Sequence, residues 1–129
     1  MSNLFVYGTL KNGKLQAVMP EVAPYLKRKG KGFVKATLYN VGEFPGAIKE
    51  SGNSKVYGEI LEISSDKKQL VLDLLDEYEE LNDKQPEQSL FIRKMTLVNG
   101  DDGKKTRAWI YWYNKDVKGL KEIENGRYK

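Results

Sequence analysis

Two places in this chain carry residue types that could do chemistry together. The first is Val6-Tyr7-Gly8-Thr9-Leu10, where the short apolar run Leu4-Phe5-Val6 ends in a glycine and a small hydroxyl residue. A strand that ends this way can turn its next backbone N–H groups toward an anionic ligand, because glycine tolerates dihedrals and close approaches that other residues do not. The second is Glu79, a carboxylate whose helical phase sets it beside apolar side chains. Desolvation there would raise a carboxyl pKa toward the range useful for proton transfer. Spacing leaves two readings of Glu79 open, a general base or a rim glutamate at a fraying helix end.

Composition narrows the chemistry further. With 0 His and 0 Cys, the chain lacks the groups for Ser-His-Asp or Cys-His catalysis, for an imidazole base, and for zinc sites built from His or Cys. Proton transfer must then use a carboxylate, a lysine, a tyrosine or a bound cofactor. A length of 129 residues, 40% hydrophobic and 31% charged, fits a globular chain with a core, expected to form one domain over residues 1–129. No apolar run is long enough to span a bilayer and no signal peptide is evident, so the expectation is a cytoplasmic protein with no membrane partner. The net charge of +4 is too small and scattered to argue for nucleic acid by itself.

Three other constellations have blander readings. Gly8-Thr9-Leu10-Lys11-Asn12-Gly13-Lys14 matches the opening of a phosphate-binding loop. The next residue, however, is Leu15 where Ser or Thr should hold magnesium, and Pro20 interrupts the helix that should follow. Lys27, Arg28, Lys29 and Lys31, with Trp109, Tyr111 and Tyr113, could form a basic surface with stacking platforms. A basic turn and core aromatics explain them better, so no nucleic-acid partner is expected. Asp73, Asp76, Glu77 and Glu80 could ligate a metal, but their spacing fits a solvated helix face.

The elements that must position these residues follow from periodicity. Residues 4–6 read as a buried strand. Residues 15–26 hold scattered apolar positions broken by Pro20 and Pro24, so an irregular segment is expected, followed by a basic turn over residues 27–32. Residues 33–41 read as a strand, residues 42–46 as a tight turn around Pro45-Gly46, and residues 50–53 as a hairpin loop. Residues 55–63 alternate as a strand. Ser64-Ser65-Asp66, with Gln69 three residues on, predicts a capped helix. Along it Val71, Leu74, Leu75 and Tyr78 share one face, and Glu79 lies one repeat beyond Leu72 at that face's edge. A polar loop over residues 82–88 and a hairpin of residues 90–98 and 106–113, turning at residues 99–103, complete the pattern. The last strand is bulky on both faces and should be central; the tail after it is polar apart from a few anchors. The element order predicts an α+β fold, a small mixed but mainly antiparallel β-barrel-like sheet with one long helix.

Several segments taken together resemble the γ-glutamylcyclotransferase-like family, which includes γ-glutamylaminecyclotransferase and the AIG2-like proteins. Phe5-Val6-Tyr7-Gly8-Thr9-Leu10 looks like that family's N-terminal substrate loop. Leu38-Tyr39 followed by Phe44-Pro45-Gly46 is similar to its Leu-Tyr…Tyr-Pro-Gly segment, and Val56-Tyr57-Gly58-Glu59-Ile60 to its Val-x-Gly-Glu-Val strand. Leu75-Asp76-Glu77-Tyr78-Glu79 resembles the segment that carries the catalytic glutamate, and Leu90-Phe91-Ile92-Arg93 the Leu-Tyr-x-Arg that often follows. Two positions depart: Glu80 stands where a glycine often follows the glutamate, and Phe91 replaces the motif tyrosine.

The resemblance implies intramolecular acyl transfer without a cofactor. The α-amine of a γ-glutamyl amine or γ-glutamyl amino acid attacks its own side-chain carbonyl, giving 5-oxoproline and releasing the amine. Glu79 would move the protons, and the backbone of Tyr7, Gly8, Thr9 and Leu10 would bind the substrate. Tyr39 and Phe44 are candidates to wall the pocket. The implied partner is a small-molecule γ-glutamyl substrate; oligomeric state stays open. The alternative is a non-catalytic small-molecule-binding module on the same fold.

Overall fold

A computed structural model describes residues 2–8, 15–42, 44–49, 53–79 and 89–128. Five strands close into a barrel in the order β1 (Ser2–Val6), β5 (Lys55–Ile63), β2 (Leu26–Lys35), β6 (Phe91–Gly100) and β7 (Lys105–Tyr113). All neighbours run antiparallel except β7 and β1, whose parallel contact at Leu4 and Trp109 completes the ring. A smaller sheet carries β3 (Thr37–Asn40) between β4 (Pro45–Ile48) and β8 (Lys121–Glu122). The helix α2 (Lys68–Tyr78) is preceded in sequence by a four-residue helix, α1 (Leu15–Val18). This is the α+β barrel with one main helix that the element order predicts. No helix among the described residues is long and apolar enough to cross a membrane.

Two apolar clusters explain the architecture. Phe5, Tyr7, Val34, Val56, Ile60, Val98, Ala108 and Ile110 draw on all five barrel strands and form one cluster. Leu4, Val6, Leu61, Ile63, Phe91 and Tyr111 form the other, together with Val71, Leu72 and Leu75 of α2. Successive residues of β1 alternate between the clusters, which is the two-residue period of a strand buried on both faces. That is why the Leu4-Phe5-Val6-Tyr7 run is continuously apolar. Strand β7 alternates in the same way, with Ala108 and Ile110 on one side and Tyr111 on the other.

Several local expectations need correction. The basic stretch at residues 27–32 is not a turn but the first half of β2, paired with β5. Its register sets Lys27 against Glu62 and Lys31 against Glu59, and Arg28 forms an ion pair with Glu59 at 3.3 Å. Opposite charges facing across strands favour this pairing, and a register shift between Arg28 and Gly30 accommodates the barrel's bend. The expected strand over residues 33–41 is divided at Ala36 between β2 and β3. Pro45 and Gly46 lie in β4, and the turn falls earlier. Gly42 adopts a positive φ of 130° and the Val41 N–H donates to the Phe44 carbonyl at 3.0 Å. Proline is tolerated there because it opens an edge strand.

The start of α2 also differs. A 3-10 turn over Ser65–Lys67 leads into the helix, and no side chain caps its N-terminus. Ser64 donates instead to Asp66 at 2.9 Å and Gln69 to Asp73 at 2.8 Å, so both expected capping partners are engaged elsewhere. The last hairpin turns over residues 101–104, beyond the expected position, with Gly103 at φ 83°. The expected loop over residues 82–88, and that over residues 50–53 apart from Asn53, lie outside the described residues.

Candidate active site

The cavity that brings the predicted residues together lies at the seam between the barrel and the C-terminal end of α2. Its volume is about 250 Å³, near the lower end of what small-molecule sites offer. Tyr7 and Gly8 line it from the end of β1, Phe44 and Pro45 from the β3–β4 turn, and Tyr78 and Glu79 from the end of α2. Leu90, Phe91 and Tyr111 add the far wall. Of the residues singled out from sequence, Tyr7, Gly8, Phe44 and Glu79 thus share one cavity. Thr9 and Leu10 lie outside the described residues. Tyr39 is on β3, opposite Gly46 and Glu122, and does not line this cavity.

Glu79 is placed by the helix. Leu72 and Leu75 are buried, and Glu79 follows them at i+7 and i+4, so the packed stripe of α2 carries it to the cavity edge. The residue is half-buried. It is the helix C-cap, and its N–H donates to the Leu75 carbonyl at 2.9 Å, closing the last turn. Glu79 is the only carboxylate among the described residues that line the cavity.

Tyr7 has its hydroxyl fully engaged. The O–H donates to the Tyr111 backbone carbonyl at 2.6 Å, and the Ala47 N–H donates to the same oxygen at 3.2 Å. One buried phenol therefore ties β1 to β7 and β4, and its ring is left to face the cavity. Burial holds its pKa well above the ordinary 10.0; the Ala47 bond opposes this and the charge of Glu79 reinforces it.

Gly8 serves by its lack of a side chain. A Cβ there would stand 2.9 Å from Pro45 Cγ, so the end of β1 passes β4 at backbone distance. Its φ is not positive, so close approach rather than unusual dihedrals is the reason for glycine. Gly46 acts similarly beneath the aromatic wall, where a Cβ would meet Tyr113 at 2.7 Å. Phe91 sits 5.8 Å from Phe44 and 5.7 Å from Tyr113, ring centre to ring centre, so the wall is a packed aromatic row.

Helical spacing alone misses Asp76 and Arg93. Asp76 is not on a solvated face. Arg93 Nε and Nη2 reach its two carboxylate oxygens at 2.8 and 3.1 Å, and the Tyr111 hydroxyl donates to Oδ1 at 2.5 Å. The Arg93 guanidinium also lies over the Trp109 ring at 4.6 Å. Burial first, and the Asp76 bond next, hold the Tyr111 pKa well above its ordinary value. Asp73 and Glu77 do not assemble with Asp76 into a metal site: among the described residues no group of three or more His, Cys, Asp or Glu could hold a metal ion, and Glu80 lies outside them. Trp109, Tyr111 and Tyr113, considered above as stacking platforms, are committed to these contacts and to the helix-facing core.

Residues 4–129 match the family described as gamma-glutamyl cyclotransferase, AIG2-like, and the chain belongs to that family. A relative from Niallia circulans, gamma-L-glutamyl-butirosin B gamma-glutamyl cyclotransferase, is 35% identical over 117 residues, covering 90% of this chain and 69% of the relative. The crystal structure of an AIG2-like protein from Mus musculus is similar with a TM-score of 0.73 and 25% identity, covering 96% of this chain and 86% of that one. The solution structure of YtfP from Escherichia coli is similar with a TM-score of 0.62 and 28% identity, covering 97% and 94%.

Proposed function

We propose that this protein cyclises a γ-glutamyl amine or γ-glutamyl amino acid to 5-oxoproline, with Glu79 as the single general acid and base. The observation that carries the reading is the pairing of Glu79 with Gly8 across one cavity. The chemistry needs little else. Glu79 takes a proton from the substrate α-ammonium, and the freed amine attacks the γ-carbonyl carbon of the same molecule. The tetrahedral intermediate then collapses: the bond from carbon to the leaving nitrogen breaks as Glu79 gives its proton to that nitrogen, and the second proton of the ring nitrogen follows by way of the same carboxylate. The products are 5-oxoproline and a protonated amine, and Glu79 ends as it began.

Because the attack is intramolecular, orienting the chain lowers the barrier without a protein nucleophile or a cofactor, which suits a chain with 0 His and 0 Cys. Backbone N–H groups of residues 7–10 hold the substrate carboxylate or the developing oxyanion. That role is worth several kcal/mol where water is excluded. The packed row of Phe44 and Phe91 walls the cavity on its other side.

The test is release of 5-oxoproline from a panel of γ-glutamyl amines and γ-glutamyl dipeptides by the purified protein. Glu79→Gln should lower kcat by about 10²–10⁴, the usual contribution of a positioned acid/base group, with the melting temperature unchanged. Full activity in the Gln variant removes Glu79 from the reaction. Saturable binding of the panel without turnover in the parent protein points instead to a binding module.

A further inference from the structure

We propose that Asp76 and Arg93 form a charge-balanced latch that positions Glu79 and sets the pH at which it works. This rests on the reading of Glu79 as the acid/base group. Asp76 stands three residues before Glu79, on the last turn of α2. Its carboxylate receives both Arg93 bonds and the Tyr111 hydroxyl. Two barrel strands, β6 and β7, therefore grip the helix where Glu79 leaves it. The grip is well shielded, with side-chain exposures of 15% for Asp76 and 20% for Arg93. The bidentate geometry, and the stacking of Arg93 on Trp109, fix the guanidinium in one place.

The electrostatic consequence follows from neighbourhood. Residues three apart on a helix are surface neighbours, so the Asp76 charge would act on Glu79 if it were unpaired. With Arg93 in place the pair is neutral as seen from Glu79. The Tyr111 hydroxyl, which touches Asp76, is within electrostatic range of both Arg93 and Glu79. Tyr7, just past the end of β1, and Tyr78 of α2 line the same cavity as Glu79, and Glu77 stands two positions before it on α2.

The latch makes a prediction that a merely structural contact does not. Arg93→Met leaves a bare carboxylate beside Glu79, so the acidic limb of the kcat/KM profile should move to higher pH. Asp76→Asn leaves a bare guanidinium, so the same limb should move to lower pH. Shifts of about half to one pH unit are expected for partly shielded neighbours. The double variant should return to within about 0.3 unit of the parent, because neutrality is restored. Both single variants should lower kcat more than they change KM, since the latch holds Glu79 and not the substrate.

The experiment measures these profiles alongside a carboxyl-carbon NMR titration of Glu79 in the same proteins, which reads the effect without turnover. Opposite shifts in the two single variants support the latch. Shifts of the same sign, or none, overturn it. If Asp76→Asn does not fold, Arg93→Lys against Arg93→Met decides: Lys keeps the charge and should hold the limb in place, and a limb that moves equally in both refutes the charge balance. NMR shifts of opposite sign with an unmoved rate profile would leave the latch standing and remove Glu79 from the chemistry.

Discussion

Replacing Tyr7 by phenylalanine separates the scaffold from the chemistry at the point where they touch. The variant keeps the ring that faces the cavity and deletes an oxygen that bridges Ala47 N–H and the Tyr111 carbonyl. The Ala47 donor is buried and would lose this bond, at a cost of ~1–3 kcal/mol. The Tyr111 carbonyl keeps a second lone pair and loses less. A net destabilisation of ~2 kcal/mol is expected. With 129 residues at ~2.1 cal/mol/K each, the unfolding entropy is ~0.27 kcal/mol/K, so the melting temperature should fall by about 7 °C. The alkaline side offers a second reading of the same oxygen. Tyr7 and Tyr111 have folded pKa values raised above the ordinary 10.0, so their contribution is fully present below pH 10 and is lost as pH rises. Above about pH 10 the unfolded chain releases two protons that the folded chain keeps, and stability should fall by ~2.7 kcal/mol per pH unit. Tyr7→Phe removes one of them and should halve that slope. Urea melts at pH 8, 10.5 and 11 measure both effects, and steady-state kinetics at 25 °C should show KM within about twofold of the parent. Unchanged stability would refute the bridge. A hundredfold loss of kcat in a fully folded variant would show that the hydroxyl takes part in the reaction.

Other substitutions test the walls of the cavity. Leu75→Ala opens space beneath Glu79 in the helix-facing core and should cost ~2–5 kcal/mol by chemical denaturation, with a loss of activity in the protein that remains folded. Gly46→Ala forces a methyl to 2.7 Å from Tyr113; a cost of ~1–3 kcal/mol is expected, and near-ultraviolet circular dichroism should report a disturbed aromatic row. Gly8→Ala sets a methyl 2.9 Å from Pro45 Cγ and should cost ~1–3 kcal/mol, while raising KM at least several-fold in the protein that remains folded. An unchanged KM would count against a substrate-facing role for this turn.

Much of the fold was legible because its strongest signals are local. The strand expected over residues 55–63 has the bounds of β5, and of the expected helix face Val71, Leu74, Leu75 and Tyr78 the structure buries Val71 and Leu75, with Leu72 beside them, while Tyr78 is exposed. What misled was charge and turn chemistry read without partners. Lys27, Arg28, Lys29 and Lys31 look like a solvated turn until β5 supplies Glu59 and Glu62 in register. Pro45-Gly46 looks like a turn until Tyr113 shows why the strand needs a residue without a Cβ. In both places a strand far along the chain overrides a local preference, as strand propensities commonly allow.

The candidate site divides along the same line. Glu79 was reachable from spacing because its position depends on the helix to which it belongs, through Leu72 and Leu75. Asp76 was not, because the groups that engage it come from 17 and 35 residues downstream. Periodicity reports the direction of a side chain and says nothing of a cation on another strand. A helix face that reads as solvated can therefore hide a buried ion pair wherever the barrel presents an arginine to it. The pairing of Asp76 with Arg93 was foreshadowed only by the arginine of Leu90-Phe91-Ile92-Arg93, whose side chain shares the outer wall of the barrel with Trp109 and Tyr111. An arginine stacked on that wall with no acid to meet it would be a poor use of a half-buried charge. Its presence in the sequence is thus the signal that one of the helix carboxylates faces inward, and the three-residue step from Asp76 to Glu79 links that partnership to the cavity.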